Sequence, residues 1–136
     1  MLDLEESYGQ ISFEDFIGVE QLVKGSLPQT FKKLYLHNNG GYPLKTEFDG
    51  DDFCFSIGGF NPIKYGNPSI ELLIKDFYRD DGLTQGLVPF AYDDGGNSFM
   101  LSLRGEDYGK VYLWLQDEER MEPVISSFDS FVAALK

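Results

Sequence analysis

Four strand-type segments follow one another between residues 87 and 125: Leu87–Tyr92, Ser98–Leu103, Lys110–Leu115 and Pro123–Ile125. The links between them are short and rich in turn residues, so successive segments must pair antiparallel, because a parallel pair needs a long crossover. A fifth segment, Phe53–Ile57, has the same composition. Along Ser98–Leu103, Phe99, Leu101 and Leu103 share one face and Met100 and Ser102 the other. Along Lys110–Leu115, Val111, Leu113 and Leu115 oppose Tyr112 and Trp114, which puts large aromatics on the face that the helices leave open.

Helical periodicity brackets the strands. Ser12-Phe13-Glu14-Asp15 resembles a capping box, and Phe13, Phe16, Ile17, Glu20 and Val23 follow at helical spacing. Leu27-Pro28 opens a second helix with Phe31, Leu34 and Tyr35 on one stripe, stopped by Asn38-Asn39-Gly40-Gly41. Asn67-Pro68 starts a third, in which Ile70, Leu73, Ile74, Phe77 and Tyr78 complete the amphipathic template. A fourth runs from Ser126 or Ser127 to the end, with Phe128, Phe131, Val132 and Leu135 inward. The expectation is an α+β fold: an antiparallel sheet of about five or six strands with helices packed on one side. The 136 residues make one domain, 1–136, with 1–11 as a short N-terminal extension.

No apolar run approaches the roughly 20 residues that span a bilayer, and the acidic start is unlike a secretory signal, so a cytoplasmic protein with no membrane partner is expected. Cys54 is the single cysteine, and its neighbours Phe53 and Phe55 suggest a buried, inert thiol. The 23 acidic residues against 11 basic ones leave a formal charge of −12, which argues against nucleic acid as a partner and for a basic protein. The acids cluster, mostly between the periodic segments: Glu47, Asp49, Asp51 and Asp52; Asp76, Asp80 and Asp81; Asp93 and Asp94; Glu106 and Asp107; Asp117, Glu118 and Glu119.

These clusters fail as chemistry. Counted as a calcium loop from Asp93, Ser98 falls on the required glycine and Arg104 on the required glutamate; counted from Asp49, those places hold Cys54 and Phe60. Gly105–Lys110 is one residue short of a phosphate loop, carries Glu106 and Asp107, and reads as a hairpin turn. The one histidine, His37, is far in sequence from Cys54, so nucleophilic triads are hard to assemble. No catalytic residue, metal or cofactor is expected. Asp93-Asp94-Gly95-Gly96-Asn97 reads as a turn into a strand. The candidate partner-binding residues are Glu47, Asp49, Asp51, Asp52, Asp80, Asp81, Asp93 and Asp94, with Tyr112 and Trp114 as aromatic anchors.

In order and spacing, Leu27-Pro28 with Phe31 and Tyr35, Asn38-Asn39-Gly40-Gly41, Pro89 through Asn97, Gly109 through Trp114, and Ser127 through Phe131 resemble the SUKH superfamily of the Smi/Knr type, related to fungal cell-wall assembly regulators. The likeness covers roughly Ser12 to Lys136, with Lys24-Gly25-Ser26 departing from the usual Leu-Gly approach to Leu27-Pro28. The resemblance implies helices on one side of an antiparallel sheet. For bacterial members it implies a cytoplasmic immunity protein that binds a polymorphic toxin, commonly a nuclease. Two alternatives stand beside it: a regulatory or scaffold binding module, and a small-molecule binder or carboxylate-based hydrolase. A monomer is assumed.

Overall fold

The computed structural model describes residues 1–78 and 82–136. Asp80 and Asp81 of the candidate set lie outside the described residues. In chain order the elements are β1 (Leu4–Glu5), α1 (Asp15–Val23), α2 (Gln29–His37), β2 (Tyr42–Pro43), β3 (Glu47–Asp49), β4 (Cys54–Ser56), β5 (Gly59–Phe60), α3 (Ile70–Phe77), β6 (Leu87–Tyr92), β7 (Ser98–Ser102), β8 (Val111–Leu115), β9 (Arg120–Ile125) and α4 (Phe128–Ala134). The protein is α+β. Strands β5 to β9 form one antiparallel sheet in sequence order, as the succession of turns requires. Two smaller pairs, β1 with β2 and β3 with β4, flank it, the first joined to β5 through a Gly41–Phe60 bridge and the second to β9 through the Asp51 N–H and the Val124 carbonyl.

The main core lies on the face from which Val88, Phe90, Phe99, Leu101, Val111 and Leu113 project. Phe131 of α4 is its hub, with ring centroids 5.0 Å from Phe48, 5.2 Å from Phe90, 5.6 Å from Phe99 and 6.2 Å from Phe60. These tilted and edge-on pairings let the rings fill the space between helix and sheet. The opposite face carries a smaller cluster of Leu87, Met100 and Trp114. Helix α3 serves both: Ile70 and Ile74 enter the main core, while the Phe77 ring meets Trp114 edge-on at 6.5 Å.

Several local readings are refined. Pro28 sits just outside α2, with Gln29 as its first residue, and Ser69 rather than Asn67 caps α3, its Oγ accepting from the Leu72 N–H. Ser127 caps α4 by accepting from the Ser130 N–H. The inward stripe of α1 is Phe16, Val19 and Val23, which leaves Phe13 and Ile17 exposed. Asn38 ends α2 in extended rather than left-handed backbone. Its Oδ1 accepts from the Leu4 N–H at 2.6 Å, and the buried Asn39 joins the backbone of Gly9 and Ile63. The Asn-Asn pair therefore ties the N-terminal segment and the segment before α3 to the end of α2, beyond merely stopping the helix. Gly41 (φ 120°) is required here, since a Cβ would stand 2.4 Å from the Glu5 carbonyl oxygen.

Candidate protein-binding surface

The Asp93–Asn97 turn connects β6 to β7 and is built around one carboxylate. Asp93 Oδ1 accepts from the N–H groups of Gly95 (2.9 Å) and Asn97 (2.8 Å), and Oδ2 accepts from Asn97 Nδ2 (2.9 Å). Gly96 takes the left-handed conformation, φ 87°, that closes such a turn. Asp93 is thus committed to its own loop, whereas Asp94 is exposed, with no Lys or Arg at ion-pair distance among the described residues.

The β8–β9 turn lies at the same end of the sheet. Its Gln116 N–H donates to Asn97 Oδ1 at 3.0 Å, joining the two turns. Asp94 on one and Asp117, Glu118 and Glu119 on the other are all exposed, making an acidic rim. Arg120 pairs with Glu118 and Glu122 and offsets part of that charge.

The residue 47–52 cluster lies elsewhere. Glu47 and Asp49 belong to β3 instead of a loop, and Phe48 between them packs into the core. The turn that follows sits against edge strand β9, at the end of that strand away from the rim, where the Asp51 N–H donates to the Val124 carbonyl at 2.8 Å. Asp51 and Asp52 are exposed there. Cys54 corrects the expectation of a buried thiol: it is exposed. In β4 it is Phe55 that turns inward, against Phe48 and Phe99, so strand alternation directs Cys54 outward. Its Sγ donates to Asp49 Oδ1 at 2.9 Å, and that hydrogen bond, with the charges of Asp49 and Glu47, holds the thiol above its ordinary range.

The aromatic anchors are occupied within the fold. Trp114 is 5% exposed, wedged among Leu87, Met100 and Phe77, so it forms a wall and does not protrude. Tyr112 is half-buried and its Oη donates to Asp107 Oδ2 at 2.6 Å. Asp107 also receives Arg104 Nη2 at 2.6 Å and the Ser102 hydroxyl. Burial pushes the Asp107 carboxyl up, but the hydrogen bonds from Arg104, Ser102 and Tyr112 together outweigh it and hold the group well below the usual carboxylate range. The 105–110 segment, read as a hairpin turn, is therefore closed by its own carboxylate network.

Tyrosines that the sequence reading passed over line the exposed concave surface. A cleft of about 280 Å³ is bounded by Tyr8, Tyr42, Tyr92, Phe60, Pro62 and Leu73. A second, of about 410 Å³, continues past Leu73 and Ser98 to Phe77, Trp114, Gln116 and Glu119. Tyr8 and Tyr42 are 46% and 43% exposed, enough to meet a partner. Tyr92 rests on Gly58 and Gly59, where a Cβ at Gly59 would stand 2.5 Å from its Oη. Burial, and then the hydrogen bond with Tyr42, push the Tyr92 phenol up to about 12. Tyr8 and Tyr42 adjoin glycines in sequence, but Tyr92 does not, and the glycines it lies on, Gly58 and Gly59, are distant in the chain. Small neighbours leave a ring room to lie on backbone.

Among the described residues no three His, Cys, Asp or Glu side chains converge as a metal would require, and no helix is long and apolar enough to cross a membrane. Residues 10–134, nearly the whole chain, match the sequence profile of the SMI1 / KNR4 family (SUKH-1). No individual curated protein matches the chain significantly.

Proposed function

Since the chain belongs to the SMI1 / KNR4 family (SUKH-1), we propose that it is an immunity-type binding module that neutralises a basic toxin domain, a nuclease on grounds of charge, in the cytoplasm. The supporting observation is the acidic rim: two turns joined through Asn97 and Gln116 hold Asp94, Asp117, Glu118 and Glu119 together, with Asp94 beside the Tyr92 ring, which is hydrogen-bonded to the exposed Tyr42. A nuclease presents cations to its substrate, and a chain of charge −12 meets such a surface faster than a neutral one. The tyrosines supply rigid amphipathic contact area at small entropic cost, which is what slows dissociation. Asp51 and Asp52, beside Val124 at the far end of β9 from the rim, contribute to the long-range field and less to the contact itself.

The test is co-expression with the protein encoded by the adjacent upstream gene. Survival of an otherwise toxic product, together with an association rate that falls steeply as salt rises, is the expected result, because exposed charges are screened beyond about 8 Å at physiological ionic strength. Neither protection nor complex formation would instead favour a regulatory module of the Smi/Knr type.

A further inference from the structure

The cleft between Tyr8, Tyr42 and Tyr92 has a chemistry of its own. Its inner wall is apolar, from Phe60, Pro62 and Leu73, and its size, about 280 Å³, falls just below the range of roughly 300–1,000 Å³ usual for small-molecule sites. It suits one long side chain better than a drug-sized ligand. The Asp94 carboxylate stands beside the Tyr92 ring: an ideal Cβ on Gly58 would be 2.9 Å from Asp94 Oδ1 and 3.1 Å from the Tyr92 ring edge. Lys64, in the segment before α3, is already held by Asp15 at 3.6 Å and lies over Tyr65 at 5.4 Å. Three phenol rings and an apolar floor, with the exposed Asp94 carboxylate just outside the cleft beside Tyr92 and no Lys or Arg at ion-pair distance from it among the described residues, are complementary to a group that is flat, positively charged and carried on a methylene stem.

We infer that this cleft receives one arginine side chain of a protein partner, its stem against Pro62 and Leu73 and its guanidinium at the cleft margin by the Tyr92 ring, within the field of the neighbouring Asp94 carboxylate. The inference rests on the binding role proposed above and places its contact point. Lysine fits less well, because its compact ammonium is more strongly hydrated and neither stacks on a ring nor pairs bidentately with a carboxylate. Gly58 and Gly59 are part of the device: without side chains they let Tyr92 lie against the backbone of β5 and form one wall.

The test is a titration of the whole chain with N-acetylargininamide, followed by the NMR shifts of the tyrosine rings, with the uncharged N-acetylcitrullinamide as control. Saturable shifts at Tyr8, Tyr42 and Tyr92 with the arginine compound alone are expected. Asp94→Asn and Tyr42→Ala should each weaken binding by about 3-fold or more, and Tyr42→Phe, which keeps the ring, should retain most of it. Both side chains are exposed, so these variants keep the fold. Absence of saturation, equal shifts with the citrulline compound, or indifference to both variants would overturn the inference. Toxin binding separates it from the immunity reading. If the wild type neutralises the upstream product and Asp94→Asn and Tyr42→Ala bind that product unchanged, the cleft inference fails and neutralisation stands. If arginine binds in the cleft but no neutralisation occurs, the immunity reading fails and the cleft inference stands.

Discussion

The backbone N–H of Gln116 donates to the side-chain oxygen of Asn97 across 3.0 Å, and through this contact the β6–β7 and β8–β9 turns hold their charges in fixed relation. Asn97 is bound on both sides, since its own N–H and Nδ2 are held by Asp93. Asn97→Ala removes the side-chain oxygen and the amide at once, leaving one turn without its brace. A loss of about 1–2 kcal/mol is expected, read as a lower urea midpoint at unchanged slope. A change under about 0.3 kcal/mol would mean that water replaces both contacts and that the rim is not braced.

The adjacent aspartates should separate cleanly. Asp93→Lys breaks three hydrogen bonds and places a cation where a turn converges on an anion, so a destabilisation of about 2 kcal/mol or more is expected. Asp94→Lys, at an exposed position, should change stability by less than about 0.5 kcal/mol while slowing association with a basic partner. Equal thermal midpoints for the two variants would show that Asp93 does not organise the turn.

Trp114 illustrates what the sequence holds and what it withholds. Alternation along Val111–Leu115 correctly puts Tyr112 and Trp114 on the face away from the main core. Whether that face is bare depends on where α3 lies, and no local pattern in residues 110–115 encodes the Phe77 ring that covers it. The long periodic elements and the five-stranded order were legible because turn residues punctuate them. Strands β1, β2, β3 and β5 were not, because two or three residues are too few to show a period and their pairing is set by contacts across the chain. The tyrosine cleft draws on segments around residues 8, 42 and 92, which only the fold brings together. Trp114→Ala should accordingly cost about 3–5 kcal/mol, as truncation of a buried aromatic does, and any loss of binding should track the loss of folded protein. A stable variant with weakened binding would return Trp114 to the role of an anchor.

The Tyr92 phenol makes alkaline stability informative. Its folded pKa, about 12, lies above the ordinary value of 10, so the folded state prefers the neutral phenol. That preference contributes in full below pH 10 and is lost as the pH rises from 10 through 12. Tyr35 and Tyr78 are also raised, by burial, and add to the same slope. The difference between wild type and Tyr92→Phe isolates the Tyr92 share: the variant should lose less stability between those two pH values. Identical slopes in urea melts across that window would show that the ring is no better shielded than an ordinary surface tyrosine.

Cys54 offers a test that is independent of any partner. An exposed thiol ordinarily reacts as readily in the folded chain as in denaturant, because the thiolate fraction and access are the same in both. Here access is free, but the hydrogen bond to Asp49 and the nearby charges of Asp49 and Glu47 disfavour the thiolate. Labelling by a neutral thiol reagent near pH 8 should therefore go to completion in the native state, yet more slowly than in denaturant. Asp49→Asn removes the charge while keeping a hydrogen-bond acceptor, so it should speed native labelling several-fold and shift the midpoint of the rate profile to lower pH. No labelling without denaturant would show that Cys54 is covered after all. A rate unmoved by Asp49→Asn would show that the carboxylate does not control the thiol, and that the β3–β4 pairing places the two side chains further apart than 2.9 Å.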